Sequence, residues 1–372
     1  MLRGPGVPRS HFDGPLTQEP TQREPLGQPQ LAHSAAARPV NAISGEIGLG
    51  TPPPADVGRR PESAHRAGSL SQSLRGTISR TLLSGVDLLP TYARRQILFI
   101  ICQHRVGHFR HPRTFSEKVN WRLLYDRRPL LATACDKLAA KDRAQRLGLR
   151  APKTIWQGVD VAELAGLRLP ERWVLKPNHG CGLIYLGNGP VRDIEELRSR
   201  TRHWAGESAE ARKGEWAYTR ARRLLLVEEM VGAEATPPAD YKVFVFHGEP
   251  RLISVERDRF VRHCRRFYTP DWQPLTAQLG VGWRIRPLAE IEPRPPSLPK
   301  MLAAARLMAG SFDFVRVDLY SIGEEVFVGE LTPYPGGGLA RFWPRRLDSE
   351  LGDLWKLPAP TATQPGEGAP VG

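Results

Sequence analysis

A β-hairpin is predicted by two stretches of sequence, Phe314-Val315-Arg316-Val317-Asp318-Leu319-Tyr320 and Gly329-Glu330-Leu331-Thr332-Pro333, joined by a loop with Gly323 near its middle. Side chains alternate between the two faces of a strand, so Val315, Val317 and Leu319 share one face. Arg316 and Asp318 then lie together on the opposite face. The pattern therefore predicts two neighbouring strands with one apolar and one charged face.

The charged face of this hairpin offers oxygen ligands for a cation. If the hairpin is symmetric about Gly323, Asp318 lies opposite Val328 and diagonal to Glu330, about 7–8 Å away. Two carboxylates at that spacing, with the Thr332 hydroxyl beside them, suit magnesium that carries ATP phosphates. An ordinary solvent-facing hairpin with a surface ion pair is the more common arrangement. The three glycines that follow favour close approach of a ligand to the backbone instead.

A second stretch, Trp173-Val174-Leu175-Lys176-Pro177-Asn178-His179-Gly180-Cys181-Gly182, predicts a strand that brings a lysine to a glycine-containing loop. Such a loop can bind phosphate, because small residues let backbone N–H groups reach the oxygens while Lys176 supplies a mobile positive charge. A glycine turn after a strand is more often only a turn, so this stretch alone leaves both interpretations open.

A third stretch, Leu224-Leu225-Leu226-Val227-Glu228-Glu229-Met230-Val231, predicts an apolar strand that ends in two carboxylates before Gly232. The edge of such a strand can hydrogen-bond an adenine. A core strand that reaches the surface has the same pattern.

Composition limits the class of protein without choosing one. With 372 residues, 40% of them apolar, the chain is long enough for two packed domains. Its net charge of +14 suits phosphates, nucleic acid, anionic lipid or acidic polymers. Four cysteines without a CxxC pair, and no secretory leader, predict a cytoplasmic protein. The longest apolar run, residues 96–102, is shorter than the roughly 20 residues of a membrane-spanning helix, so none is predicted.

Both ends of the chain differ from its middle. Residues 1–70 hold eleven Pro, nine Gly and one aromatic residue, and residues 358–372 are similar in character, so we predict a disordered leader and a flexible tail. A helical N-terminal region is predicted over 71–150, with helices at 75–105, 114–125 and 129–147, the second opened by a capping box of Thr114 and Glu117. Strands predominate from Trp173 onward, with helices near 192–204 and 298–309, which predicts an α+β fold.

In this order the stretches resemble the ATP-grasp superfamily and, within it, the TupA-like branch associated with teichuronopeptide biosynthesis. The similar residues lie between about Pro112 and Pro358. They comprise Pro112-Arg113-Thr114-Phe115-Ser116-Glu117-Lys118, Trp121, Leu124-Tyr125-Asp126, Asp136-Lys137, Val174 to Gly180, Asp240-Tyr241-Lys242-Val243-Phe244, Asp258-Arg259-Phe260, Phe267-Tyr268, Asp271-Trp272 and the hairpin strands. The resemblance implies an ATP-grasp fold of two α+β subdomains that grip ATP, a small one over 151–235 and a large one with the magnesium site over 236–357.

The resemblance also implies roles for particular residues. For catalysis it implies Lys176, Arg316 to neutralise the transferred phosphate, and Gly337 or Gly338 as an N–H donor to an oxyanion. For ATP it implies Lys137 and Lys176 at the phosphates, Glu228, Glu229 and Val231 at the adenine, Asp240 at the ribose, and His179, Gly180 and Lys242 beside them. For magnesium it implies Asp318, Glu330 and Thr332. Two departures stand out: Thr332 replaces an Asn found in many relatives, and the loop at Cys181 has fewer glycines than the usual lid.

The implied chemistry is that of a carboxylate–amine ligase that depends on ATP and magnesium. A substrate carboxylate attacks the γ-phosphate to give an acyl phosphate, and an amine then displaces phosphate to form an amide. For this branch the acceptor would be an acidic surface polysaccharide or its uronic-acid precursor, with an amino acid as the amine. No nucleic acid is expected as a partner, and the oligomeric state stays open.

Three other functions remain possible from the sequence. A phosphotransferase would use the same ATP site. A polysaccharide glycosyltransferase would need a sugar-nucleotide site, and often an Asp-x-Asp motif to which Glu256-Arg257-Asp258 comes nearest. A nucleic-acid or anion-binding module rests on the charge and on the arginines and aromatics around residues 260–268.

Overall fold

The computed structural model describes residues 89–232, 238–257, 263–280 and 285–361. The predicted leader over residues 1–70 lies outside the described residues, as does the predicted tail after residue 361. Within the described ranges no helix has the length and apolar character needed to cross a membrane.

Four helices open the described chain: α1 Thr91–Gln103, α2 Phe115–Tyr125, α3 Pro129–Cys135 and α4 Lys137–Arg146. The predicted capping box is confirmed, because the Thr114 side chain accepts from the Glu117 backbone and the Glu117 side chain accepts from the Thr114 backbone. The single helix predicted over 129–147 is wrong. The backbone is extended at Asp136, whose carboxylate accepts the N–H of Ala139 at 2.9 Å and so starts a new helix at Lys137.

An antiparallel four-stranded sheet follows, with strand order β1-β4-β2-β3. Its strands are β1 Thr154–Gly158, β2 Arg172–Pro177, β3 Tyr185–Asn188 and β4 Leu225–Glu229. A 3₁₀ turn at Val161–Gly166 and the helices α5 Ile194–Thr201, α6 Ala209–Arg212 and α7 Trp216–Arg220 connect them. One face of the sheet buries a core of its own, formed by Trp156, Trp173, Leu175, Leu225 and Val227 among others. Because side chains alternate, Lys176 and Glu228 point away from this core.

A seven-stranded sheet has the order β10-β7-β6-β5-β11-β12, with β8 beside β7. Its strands are β5 Asp240–Phe246, β6 Glu249–Arg257, β7 Cys264–Tyr268, β8 Pro274–Leu275, β10 Arg286–Pro287, β11 Phe314–Ile322 and β12 Glu325–Thr332. Each pairing is antiparallel except that of β10 with β7. The chain also forms α8 Leu298–Ala309, a 3₁₀ turn at Pro335–Gly338, a small sheet of β9 Gln278–Gly280 with β13 Arg341–Trp343, and α9 Arg345–Asp353.

The main apolar core lies against the seven-stranded sheet. Val315, Val317 and Leu319 are fully buried in it, which confirms the predicted apolar face of β11. The Phe314 ring contacts Phe115 of α2 at a centroid distance of 4.9 Å. The mixture of helices and antiparallel sheets is the predicted α+β architecture.

The two sheets meet beside β12. Arg150 forms an isolated bridge with Phe327, and the Val328 N–H donates to the Arg150 carbonyl oxygen at 2.8 Å. This contact holds the segment that leads into the four-stranded sheet against the edge of the seven-stranded sheet.

Candidate active site

The two predicted metal-binding carboxylates lie directly opposite each other on β11 and β12. The register pairs Asp318 with Glu330 and then Leu319 with Val328, which leaves Gly329 as an extra residue. This bulge corrects the symmetric register, in which Asp318 lay opposite Val328 and diagonal to Glu330. A Cβ on Gly329 would lie 3.2 Å from the Asp318 carbonyl oxygen, so the bulge suits a residue without a side chain. Opposing residues lie closer than diagonal ones, at about 4.5–5.5 Å between Cβ atoms.

The Asp318 carboxylate is bound by two cations. Arg316 donates to it from Nε and Nη2, both at 2.6 Å. Lys242, opposite Asp318 on β5, donates to Asp318 Oδ2 at 2.7 Å and to Asp240 Oδ2 at 2.6 Å. The Thr332 hydroxyl accepts from Arg316 Nη2 at 3.0 Å. The arrangement is a buried network rather than a solvent-facing hairpin, since the Arg316 side chain is 15% exposed and the Asp318 side chain 3%.

Glu330 is the more open of the two carboxylates. Its side chain is 27% exposed and lies 3.8 Å from Arg316 Nη2 and 3.9 Å from Lys137 Nζ. Burial alone would raise the pKa of Glu330, but Lys137, Lys242, Arg316 and Lys176 outweigh burial and lower it to about 2. The carboxylate is therefore ionised at neutral pH and faces cations from both sheets and from α4.

Lys137 connects this carboxylate to the loop after β2. As the first residue of α4, it donates from Nζ to the Gly180 carbonyl oxygen at 2.5 Å and to that of Asn178 at 3.4 Å. The Asn178 side chain in turn accepts the N–H of Leu138 at 2.9 Å. The break of the helix at Asp136 thus places Lys137 beside the predicted phosphate loop.

Lys176 points from β2 toward a buried carboxylate. It forms an ion pair with Glu228 Oε1, while Lys141 Nζ lies 2.6 Å from Oε2. Burial alone would raise the pKa of Glu228, but Lys176 and Lys141 outweigh burial and lower it. Lys141 is a site residue that the sequence did not predict. The available signal was its spacing from Lys137, because residues four apart share a face of a helix.

The loop after β2 is fixed by contacts of its own. His179 Nε2 lies 2.6 Å from the Gly206 carbonyl oxygen, and Cys181 Sγ lies 3.1 Å from the Tyr218 hydroxyl. Burial lowers the pKa of His179, so its ring is neutral at physiological pH. Contacts of His179 and Gly180 with a nucleotide stay predictions.

Two of the residues predicted at the adenine line a groove between the sheets. This cavity of about 490 Å³ is lined by Gln145, Leu149, Arg150, Ala151, Pro152, Lys153, Glu229, Val231, Gly232, Ile322, Glu325 and Phe327. Glu228 points to the opposite face of β4 from Glu229 and pairs with the lysines instead. Its contact with an adenine stays a prediction, as does that of Asp240 with a ribose.

The structure corrects the prediction for Gly337. Its N–H donates to the Tyr334 carbonyl oxygen at 2.9 Å and so is not open to an oxyanion, while its own carbonyl oxygen accepts from Arg95. The Gly338 carbonyl oxygen accepts from Asn120 Nδ2 at 3.0 Å. The glycines pack closely against other parts of the chain, and donation from the Gly338 N–H to an oxyanion stays a prediction.

The residues fit a magnesium ion bound to a polyphosphate. Asp318 and Glu330 share one face, and magnesium keeps several phosphate or water oxygens besides one or two carboxylates. Lys137, Lys176 and Arg316 lie around them as counter-charges for phosphate. In the part of the chain that the structure describes, no three His, Cys, Asp or Glu side chains are grouped to hold a metal by themselves. The Thr332 hydroxyl contacts Arg316, and its role as a metal ligand stays a prediction.

A family model described as TupA-like ATPgrasp matches residues 117–356. A comparison with curated proteins gave no match.

Several solved structures are similar to this chain at low identity. D-alanine–D-alanine ligase from Bacillus anthracis, complexed with ATP, is 16% identical over 55% of this chain and 57% of that one, with a TM-score of 0.32. The corresponding ligase from Helicobacter pylori is 15% identical over 59% and 57%, with a TM-score of 0.33. L-amino acid ligase from Bacillus licheniformis is 13% identical over 55% and 42%, with a TM-score of 0.33. The chain thus spans about half the length of these structures.

The family match covers more than half of the chain. It includes the helix that begins at Lys137, the strand that carries Lys176, and the hairpin with Asp318 and Glu330. The resemblance inferred from the sequence, and the ATP-grasp fold it implied, are confirmed. The chain belongs to the TupA-like ATP-grasp family.

Proposed function

We propose that this chain is an ATP-dependent ligase that activates a carboxylate as an acyl phosphate and joins it to an amine. The observation that carries the proposal is the pair Asp318 and Glu330, with cations of both sheets and of α4 around them. A magnesium–polyphosphate ligand presents the complementary charges. In this proposal the four-stranded and seven-stranded sheets belong to the two subdomains that grip ATP.

The side chains act through position and charge. Lys137 and Lys176 bind the phosphates, and Asp318 and Glu330 hold the magnesium ion, which offsets charge on the phosphate oxygens. A substrate carboxylate oxygen bonds to the γ-phosphorus as the bond from that phosphorus to the ADP oxygen breaks. Arg316 stabilises the negative charge on the phosphoryl group during this transfer.

The second step completes the amide. The amine nitrogen bonds to the carbonyl carbon of the acyl phosphate, phosphate leaves with the electrons of the C–O bond, and the nitrogen gives a proton to the departing phosphate. No covalent bond to the protein is needed in either step.

We further propose an acidic surface polysaccharide or its uronic-acid precursor as the carboxylate substrate, and an amino acid as the amine. The net charge of +14 supports an anionic substrate. Arg257 and Arg265 are paired with Glu292 and Glu256, so the support comes from the net charge rather than from these two residues. A cytoplasmic location is proposed with it, because the reaction consumes ATP. The four cysteines are free thiols, as a reducing compartment would keep them.

Calorimetry of magnesium-dependent ATP binding to the full chain tests the ATP site. We expect saturable binding by the parent protein, about tenfold or more weaker binding by Lys176→Ala, and loss of the magnesium dependence in Glu330→Gln. Lys300→Ala and Glu324→Gln are matched controls, because these residues form an ion pair with side chains 59% and 71% exposed. A folded parent protein that binds no ATP would overturn the proposal.

The products distinguish a ligase from a phosphotransferase. Phosphate release would be followed with uronic acids and amino acids as substrates, and the products identified by mass spectrometry. An amide supports the ligase, whereas a stable phosphate ester would show transfer to a hydroxyl group.

A further inference from the structure

Lys141 is buried beside the candidate site and has no role in the proposed mechanism. Its side chain is 5% exposed. Its ammonium group donates to the Pro152 carbonyl oxygen at 2.7 Å and to the Thr154 hydroxyl at 2.9 Å, and it lies 2.6 Å from Glu228 Oε2. The Pro152 and Thr154 oxygens use two of the three donors of the ammonium group, and its contact with Glu228 is an ion pair. Lys141 therefore acts on its surroundings through Glu228 rather than by binding a ligand.

Glu228 is shared by two lysines. Its side chain is 5% exposed, and its two carboxylate oxygens face Lys176 and Lys141 separately. Two ammonium groups and one carboxylate leave a net charge of +1 on the group. With Lys176 alone the pair would be neutral, and charge matters most where water is excluded.

The two lysines differ in their contacts, and this difference indicates which of them presents the net positive charge of the group. Lys141 is fixed to the backbone before β1, whereas Lys176 has Glu228 as its ion-pair partner and a side chain 12% exposed. The Lys176 side chain is the more exposed of the two, so the surplus positive charge is presented by Lys176 rather than by Lys141.

We propose that Lys141 is a positioning residue that neutralises Glu228 and so leaves the charge of Lys176 available to nucleotide phosphates. This inference rests on the proposed function, because ATP supplies the phosphates. It differs from a purely structural role, in which Lys141 only ties α4 to β1. A structural role depends on the contacts of Lys141, whereas the proposed role depends on the charge balance around Glu228.

A charge-balanced set of variants separates the two roles. Magnesium-dependent ATP binding to the full chain would be measured by calorimetry for the parent, Lys141→Met, Glu228→Gln and the double variant. We expect Lys141→Met to bind ATP about tenfold more weakly, and the double variant to return to within about threefold of the parent. Adenosine, which has no phosphate, should bind the parent and Lys141→Met alike, and its binding by the two Glu228 variants measures any contact of Glu228 with the adenine. Lys300→Met is the surface control, with circular dichroism to establish folding.

Glu228→Gln keeps the inference testable even if Lys141→Met does not fold. Removal of the carboxylate leaves two positive charges, so the ratio of ATP affinity to adenosine affinity should be at least as large in this variant as in the parent. Weaker ATP binding relative to adenosine by Glu228→Gln, or a double variant as weak as Lys141→Met on the same scale, would overturn the inference. A parent protein that binds no ATP would remove the proposed function and this inference together. Equal binding by the parent and Lys141→Met would remove this inference alone.

Discussion

At the scale of single residues, Glu215 is a buried acid whose burial outweighs the positive charges near it. Burial raises its pKa to about 8, and the charge of Arg95 offsets this only in part. The Arg95 guanidinium donates instead to the Asn120 side chain and to the carbonyl oxygens of Lys213 and Gly337. Glu215 is therefore held mainly in its protonated form at neutral pH.

We predict that Glu215→Gln stabilises the protein at alkaline pH. Glu215 has an ordinary pKa of 4.5 and a pKa of about 8 in the folded chain. Between these values the folded state keeps a proton that the unfolded state has lost, so the free energy of unfolding falls as pH rises. The glutamine variant avoids this loss, and its advantage should grow by up to about 1.4 kcal/mol per pH unit from pH 5 to pH 8. Urea denaturation at several pH values measures it.

The control for this prediction is Glu195→Gln, a carboxylate that is 74% exposed on α5. Its free energy of unfolding should follow that of the parent protein across the same pH range. The same pH dependence in Glu215→Gln and the parent would contradict the prediction.

At the scale of elements, the 3₁₀ turn at Pro335–Gly338 owes its glycines to packing. Gly338 has φ +64°, and an added Cβ would lie 2.6 Å from Asn120 Nδ2 and 3.0 Å from the Ser116 carbonyl oxygen. The turn packs against α2. The three glycines in the sequence indicate that another group comes close to the backbone there, but they do not indicate whether that group is a ligand or another part of the chain.

We predict that Gly338→Ala destabilises the protein by about 2–4 kcal/mol, because it adds steric overlap to a strained backbone. Gly323→Ala is the matched control: Gly323 has φ +57° at the hairpin tip, and its added Cβ would meet nothing within 4 Å. Gly323→Ala should destabilise the protein by only about 1 kcal/mol, through backbone strain alone. Urea denaturation midpoints of the two variants measure the difference, and equal costs would show that the packing against α2 is loose.

At the scale of the whole molecule, Arg122 joins the helical region to the seven-stranded sheet. It is fully buried in α2 and donates to the carbonyl oxygens of Phe314 at 2.8 Å and Pro333 at 3.2 Å, and to Asp313 Oδ2 at 2.7 Å. The Trp355 indole donates to the same Asp313 oxygen at 2.6 Å. One guanidinium group thus connects a helix, two strand ends and the segment after α9.

We predict that Arg122→Met destabilises the protein by about 3–5 kcal/mol, because it leaves buried oxygens without their donor. Thermal unfolding followed by circular dichroism and by tryptophan fluorescence measures the loss, and both signals should shift together. Arg306→Met is the control, since Arg306 is 50% exposed in an ion pair with Glu249 and should cost under about 1 kcal/mol. A loss no larger than that of the control would contradict the role given to Arg122.

The sequence predicts features that depend on near neighbours. The capping box of Thr114 and Glu117 and the alternation of Val315 and Val317 were both confirmed, because residues a few positions apart determine them. The helix over 298–309 was also predicted with its observed bounds.

Features that depend on distant contacts were missed. The helix break at Asp136 is supported by a pair of hydrogen bonds from Arg222, which is remote in the sequence. The ion pair between Lys141 and Glu228 likewise joins α4 to β4, which are far apart in the sequence. The sequence identified the chemical types of the site residues, but it did not show which of them share a partner.

The bulge at Gly329 determines which side chains of β12 face the candidate site. Val328 and Leu331 both enter the apolar core, although strict alternation would put them on opposite faces. Removal of Gly329 would restore regular alternation, with Val328 and Leu331 in the core and Glu330 still opposite Asp318. A two-residue period counted from Val328 would therefore place Glu330 on the apolar face, and an alignment with a strand that lacks the bulge must put a one-residue gap at Gly329.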